Sequence, residues 1–351
     1  MRQNFSKNNF LYLFLSFLAS LMELGPVILL LDSQYSVLSA LFIGFCYQLG
    51  NLIPSIARLP SKLLIIITII GCLFSVFSED FPFAFYVAVT LGSIVLQSLR
   101  RSINSKGDLL VTTFTKRLSR IVGFAVSGMF SYWMITVILL ALIIIGFVIT
   151  HNLDTSHHFS VRPLLPSATP IALVMVIHQS HYFSYAYILP ALLLLRFFIP
   201  TSFVGMLFIV GWLSYISTEK LVHSQRYIHV LFIGHALVAL SLSALGYFQA
   251  SLPLVMISWF FSGLGGGTVF CLIQINKQLT LQSHTEIEFW EDVGHVTGIA
   301  LSIILVIFLF SDPFRMFYAS ALIAIITALG VVLSKGWIDR NSTSVSGLAD
   351  N

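Results

Sequence analysis

Long apolar runs alternate along this chain with short polar segments. The runs are Phe10–Leu31, Tyr35–Ile56, Leu63–Phe77 and Phe81–Leu99, followed by an extended one, Leu118–Ile149. After a polar connector come Thr169–Leu195, Phe198–Tyr215, Tyr227–Leu245, Leu252–Ile273, Phe289–Phe310 and Pro313–Leu333. A helix of about 20 residues crosses the ~30 Å hydrocarbon layer of a bilayer. The pattern therefore predicts an all-α, polytopic membrane protein.

The run Leu118–Ile149 is long for one helix and tight for two, and charge placement arbitrates. Lys and Arg of short loops favour the cytoplasmic side. A break near Ser131 makes twelve spans and puts both termini inside. Arg58, Lys62, Arg100, Arg101, Lys106, Lys116, Arg117, Arg120, Arg162, Lys220, Arg226, Lys277 and Lys335 then all face the cytoplasm, and only Arg196 and Arg315 lie outside. A single helix would invert the later loops and expel several of these cations. Twelve spans, with a multi-pass location in the inner (plasma) membrane, is the expectation.

Composition agrees. The chain is 57% hydrophobic and 9% charged, far short of the quarter or so of charged residues that covers a water-soluble domain. The net charge of +4 is explained by loop cations, so no nucleic-acid partner is expected. The first apolar run has no small-residue cleavage site after it and reads as a retained helix. Cys46, Cys72 and Cys271 lie in apolar runs without paired spacing, which indicates neither disulfides nor a zinc site.

The connector Thr150–Pro170, "THNLDTSHHFSVRPLLPSATP", divides the chain into residues 1–150 and 169–335, with 151–168 as a cytoplasmic linker and 336–351 as a polar tail. The halves echo each other in order. "ELGPVILLLDS" is matched by "YILPALLLLRF", "GNLIPSIARLPSK" by "GWLSYISTEKLVH", and "SRIVGFAVSG" by "EDVGHVTGIALS". Internal repeats mark secondary transporters. Six plus six helices, a central connector and parallel half-repeats resemble the major facilitator superfamily over Phe10–Leu333. Of that family's loop signature, Gly50, Arg58 and Lys62 remain, without the Asp; its fifth-helix glycine motif is reduced to Gly123 and Gly128; Arg100 and Arg101 come only at the end of the fourth helix. The resemblance implies two six-helix halves around a central cavity. No phosphate-binding glycine loop is present, so active transport would draw on an ion gradient.

Candidate chemistry centres on Val174–Leu195, "VMVIHQSHYFSYAYILPALLLL". His178, His181, Tyr182 and Tyr185 share one helical face, and polar groups do not face lipid without cost. They are candidates for substrate contact, and the two histidines for proton transfer. Interhelical hydrogen bonding is the structural alternative. Two histidines make an incomplete metal site, so no metal ligand and no cofactor is assigned. A dense His/Tyr cluster in the seventh helix resembles siderophore-exporting branches of the superfamily. Glu23, the one acid well inside the first span, can hold a coupling proton until its surroundings change, or sit inert at an interface. Glu291 and His295, four residues apart, can pair and are further proton-coupling candidates. With Asp292 they are expected to open the eleventh span, after a capping box at Thr285–Glu288. Gln48, Asn51 and Gln97 are candidate substrate hydrogen-bonders or interhelical bonds. His235 reads as a lone buried histidine, "SGLGGGTVF" (Ser262–Phe270) as close helix packing with a flexing point, and "HNLDTSHH" (His151–His158) as solvated linker.

The expectation is a monomeric, proton-coupled secondary transporter, with protons, a small-molecule substrate and membrane lipids as partners. It would export a small polar, chelator-type molecule. Drug efflux or nutrient uptake is the rival within the class. A membrane enzyme acting on lipid is the rival outside it, weakened by scattered acids and the lack of an Asp-rich motif.

Overall fold

The computed structural model describes residues 7–33, 35–104, 113–151, 160–161, 168–221, 227–279 and 284–338. All of "HNLDTSHH" beyond His151, most of the connector, the centre of the loop after the fourth helix and the tail beyond Ile338 lie outside them. The described chain is helical apart from a two-residue antiparallel ladder in which Ala57 pairs with Val161 and Arg58 with Ser160. In chain order the helices are α1 (Lys7–Asp32), α2 (Val37–Ile56), α3 (Ser61–Val76), α4 (Pro82–Asn104), α5 (Thr113–Val126), α6 (Tyr132–His151) and α7 (Pro170–Tyr185). There follow α8 (Ile188–Leu195), α9 (Thr201–Leu221), α10 (Tyr227–Tyr247), α11 (Leu252–Gly266), α12 (Val269–Leu279), α13 (His284–Phe308) and α14 (Met316–Leu333).

Eight stretches among the described residues are long and apolar enough to cross a bilayer: α1, α2, α4, α9, α10, α11 with α12, α13 and α14. Apolar α3 and α6 are shorter. The polarity is inside-out relative to a soluble protein. Ile66, Leu73 and Val76 of α3, Ile144 and Phe147 of α6, and Leu322 and Leu329 of α14 are exposed, while Ser16, Ser20, Thr68, Ser302 and Thr327 are buried. Buried hydroxyls donate to carbonyls one turn back, as Ser16 Oγ to Tyr12 (2.8 Å) and Thr327 Oγ1 to Ile323 (2.9 Å). Such bonds satisfy the hydroxyl without water.

Local chemistry explains the helix ends and breaks. The run Leu118–Ile149 is two helices, separated by a tight turn at Ser127–Met129 among the small residues Ser127, Gly128 and Ser131. The run Thr169–Leu195 is interrupted between Tyr185 and Ile188. Pro190 has no N–H to offer the carbonyl of Ala186, which loosens the helix there. At its start, Thr169 Oγ1 accepts the N–H of Ala172 at 3.1 Å, a side-chain N-cap preceding Pro170 in the first turn. The glycine run ends α11 at Gly266, and α12 resumes at Val269. The side chain of Thr285, on which the expected capping box depends, lies outside the described residues. The described helix runs from His284, so Glu291, Asp292 and His295 lie in its body instead of opening it.

By compactness the chain divides into two units: residues 1–165 with 193–209, and residues 166–192 with 210–351. The two share three pairings. In the first, α1 packs on α5, α3 on α4 and α3 on α6; in the second, α7 packs on α13, α10 on α11 and α10 on α14. The matched sequences "SRIVGFAVSG" and "EDVGHVTGIALS" make the equivalent contacts. At Gly123 a Cβ would lie 2.9 Å from Ser20 Cβ and 3.2 Å from Leu21 N, both on α1. At Gly294 it would lie 2.7 Å from the carbonyl oxygen of Val176, and at Gly298 it would lie 2.8 Å from the Cα of Ser180, both on α7. Small residues thus let two helix backbones touch, the usual packing device inside a membrane. In the second unit, Trp337 and Ile338, beyond α14, pack on a buried apolar cluster that includes Ile171, Met175, Leu231 and Leu272.

Replacing Gly298 with Val should force α13 away from α7 and cost about 1–3 kcal/mol. Gly146→Ala, where an added Cβ meets nothing within 4 Å, should be near neutral. Thermal unfolding of both variants in detergent checks this, and equal midpoints would contradict the packing argument.

Candidate functional site

Two polar clusters lie among the packed helices, one in each unit. The first is centred on Glu23 of α1, whose side chain is 5% exposed. Arg120 of α5 donates through Nη2 to Glu23 Oε2 at 3.0 Å and through Nε to Ser20 Oγ at 3.3 Å. Gln48 of α2 reaches the other carboxylate oxygen, Oε1, at 3.5 Å, and Asn51 Nδ2 donates to Gln48 Oε1 at 3.0 Å. Asn51 Oδ1 is buried with no hydrogen-bond partner among the described residues. A line of polar groups thus runs from α5 through α1 to α2. Gly123 makes it possible: it lies one turn from Arg120 and brings α5 onto α1 closely enough for the guanidinium to reach the acid.

A carboxylate in hydrocarbon must be neutralised by a proton or a cation. Glu23 has the cation beside it, and Arg120, with 29% of its side chain exposed, keeps partial contact with the surroundings.

The second cluster is built on α7. His178 and His181 are buried, and His235 of α10 joins them. Nδ1 of His178 lies 2.7 Å from Nε2 of His235, and Nδ1 of His235 lies 2.7 Å from the carbonyl oxygen of Leu231. The Leu231 carbonyl only accepts, so His235 carries its proton on Nδ1. Its Nε2 is then a lone pair that receives the proton of His178. The three rings meet edge to face at centroid distances of 4.9, 4.9 and 5.8 Å. Tyr185 donates to or accepts from Ser262 Oγ of α11 at 2.9 Å and packs edge-on against Trp259. The ring of Tyr182 stands perpendicular to that of Trp212 at 6.2 Å.

The face of α7 carrying these residues is held by α13 and α14. Ser180 Oγ donates to the Gly294 carbonyl at 3.2 Å, Ser302 Oγ donates to the Ser184 carbonyl at 2.6 Å, and Ser184 is hydrogen-bonded to Ser320. On α13, His295 Nδ1 lies 3.7 Å from Asp292 Oδ1, three residues back, and its ring packs on Phe183 of α7 at 4.1 Å.

The structure therefore brings Glu23, Gln48 and Asn51 into one group, and His178, His181, Tyr182 and Tyr185 onto one packed face. Gln97 is engaged locally, accepting from Arg100 Nη1 at 3.0 Å. Two participants were misplaced by sequence reasoning. Arg120 was counted among the loop cations, although it stands inside the apolar run "SRIVGFAVSG". His235 was read as a lone histidine, but its partner is 57 residues away in the chain, a separation that no local pattern reveals.

Removing Arg120 alone should destabilise the protein by roughly 2–4 kcal/mol, because it strands a buried carboxylate. The double variant Glu23→Gln, Arg120→Gln should recover most of the loss. Thermal midpoints of the single and double variants test the coupling, and strictly additive losses would argue against a functional ion pair.

By sequence the chain matches no protein-family profile and no curated protein. By structure it is similar to membrane transporters. The POT family transporter PepTSo superposes with a TM-score of 0.65 at 10% identity, over 95% of this chain and 98% of that one. The nucleoside transporter NupG superposes at 0.62 and 12% identity, over 94% and 99%. A bacterial metal transporter superposes at 0.61 and 13% identity, over 94% and 99%. At these identities the likeness shows the fold: the chain is a multi-pass helical membrane protein with the architecture of these transporters.

Proposed function

We propose that the chain is a proton-coupled secondary transporter, with twelve spans in two six-helix halves and both termini cytoplasmic in the inner (plasma) membrane. It moves a small polar organic molecule of chelator type outward by alternating access. The observation that carries the reading is the buried Glu23–Arg120 pair within a transporter fold. A fold made for packing alone gains little from a charged pair in hydrocarbon, since an apolar pair of the same size is often as stable or more so.

In this reading Glu23 is the coupling group. Export by exchange requires that proton and substrate compete for one site. With the proton gone, the Glu23 carboxylate, steadied by Arg120, accepts hydrogen bonds from a donor group of the substrate on the cytoplasmic side. On the outer side a proton takes that place, Glu23 becomes a neutral acid and the substrate is released. Each ligand shifts the populations of the two conformations by its differential binding. Gln48 and Asn51, with its unused acceptor, extend the polar surface that a hydroxyl- or amide-bearing substrate would contact. On α7, Tyr182 and Tyr185 offer hydroxyls and aromatic faces suited to a polar, partly planar molecule. Glu291 and His295 are assigned a supporting role in proton movement, next to the α7 contact at Phe183.

The test is small-molecule profiling of a deletion strain under iron limitation, inside and outside the cell. It is complemented with the wild-type gene and with Glu23→Gln, which keeps the shape of the side chain and removes its titration. The expected outcome is a chelator that falls outside and accumulates inside on deletion, returning with the wild type and less than about a tenth as well with Glu23→Gln. Unchanged chelator pools would reject the cargo class, and full rescue by Glu23→Gln would reject the coupling role.

A further inference from the structure

Among the described residues, one group of three potential metal ligands converges: His178, His181 and His235, all buried, each offering a ring nitrogen within 4.8 Å of the others. We propose that these three histidines form a binding site for a divalent transition-metal cation of the Zn²⁺ class, with one coordination position open.

Four observations carry this. The donors are three imidazoles, a set that suits Zn²⁺, Ni²⁺ and Cu²⁺ and disfavours Ca²⁺ and Mg²⁺, which take oxygen ligands. His235 is already oriented as a ligand is: its Nδ1–H is held by the Leu231 carbonyl at 2.7 Å, which fixes the tautomer and turns the Nε2 lone pair into the cluster. Carbonyl-anchored imidazoles of this kind are the usual outer support of metal-bound histidine. Nδ1 of His181 is buried without a hydrogen-bond partner among the described residues. An imidazole nitrogen left unsatisfied inside a packed membrane protein is costly, and a metal ion would remove that cost. Finally, the three rings come from two helices, α7 and α10, both packed on α14. α13 and α14 clamp α7 through Ser180, Ser184 and Ser302, so its two donors are preorganised.

Binding an ion requires the rings to adjust: nitrogens now as much as 4.8 Å apart must draw closer, and the direct bond between His178 and His235 must open. Their nitrogens are 2.7 Å apart. Two imidazole nitrogens on one tetrahedral zinc, each about 2.0–2.1 Å from the ion, are separated by about 3.3 Å. A small rotation of the His178 ring opens that gap. For His178 to bind through Nδ1, the Nδ1 proton is released and Nε2 takes one up, so the ring stays neutral and charge balances. The three rings carry no charge, so the bound ion keeps its own. The open position then favours an anionic donor, either hydroxide or an oxygen of an acidic organic ligand. The site is a matter of binding and stands whether or not the chain exports a chelator.

The test uses the full-length, tag-free protein in detergent, stripped with a chelator and titrated with Zn²⁺ or Co²⁺ alone. One equivalent should bind to the wild type, and Co²⁺ should give the intense visible bands of tetrahedral coordination. His181→Ala and His235→Ala should each weaken binding by at least about tenfold. A variant lacking His151, His157 and His158 of the connector should bind as the wild type does. Should the alanine variants not fold, X-ray absorption of the Zn²⁺-loaded wild type decides independently: three imidazoles around the ion support the site, and one or none overturns it. Undiminished binding by His235→Ala, or loss of binding with the connector histidines, would also overturn it.

Discussion

A bilayer offers the protein no hydrogen bonds, and every other feature of this molecule follows from that. Backbone groups must satisfy each other, so the chain is helical almost throughout. Hydroxyls must find carbonyls one turn away or on a neighbouring helix, as Ser16, Ser302 and Thr327 do. Ionisable groups must find partners, so Glu23 lies against Arg120 and His178 against His235. The hydrophobic effect does not drive helices together in lipid. Close backbone contact does, and it needs glycine and serine where two helices touch.

The same pairing therefore serves packing and chemistry together. Gly123 lets α5 approach α1, and the approach carries Arg120 to Glu23. Gly294 and Gly298 let α13 approach α7, and the clamp sets the face on which His178, His181, Tyr182 and Tyr185 stand. The two units hold different groups. The first holds a buried charged pair, Glu23 with Arg120; the second holds imidazoles and phenols on and around α7. Structural likeness to transporters at 10–13% identity is what this economy predicts. The architecture depends on small residues at helix contacts and on apolar faces, and a great many sequences satisfy both.

The breaks carry meaning too. Pro190 opens α7 from α8 directly beyond Tyr185, and the glycines before Val269 separate α11 from α12. Both interruptions lie near the histidine cluster of the second unit, since Thr268, between α11 and α12, faces Gly234 beside His235; α1 and α2, which carry Glu23 and Gln48, run unbroken. Backbone carbonyls loosened by proline or glycine are tolerated in a membrane only against protein or water.

Much was legible in the sequence because hydrophobicity, period and turn chemistry are local. The two helices hidden in Leu118–Ile149 follow from where Lys and Arg stand between the runs, and the apolar runs and the polar face of α7 follow from residues within a few turns of each other. So does the echo between "SRIVGFAVSG" and "EDVGHVTGIALS", which the structure turns into equivalent helix contacts. What the sequence could not show were partners across the fold. Arg120 looked like a loop cation because its acid is in another helix, and His235 looked solitary because its neighbours are in α7. Local sequence determined where helices run and which faces are polar, because those depend on short-range periodicity. Only the tertiary structure decided which polar groups meet, because a buried charge or imidazole is neutralised by whatever the packed backbones bring within about 3 Å.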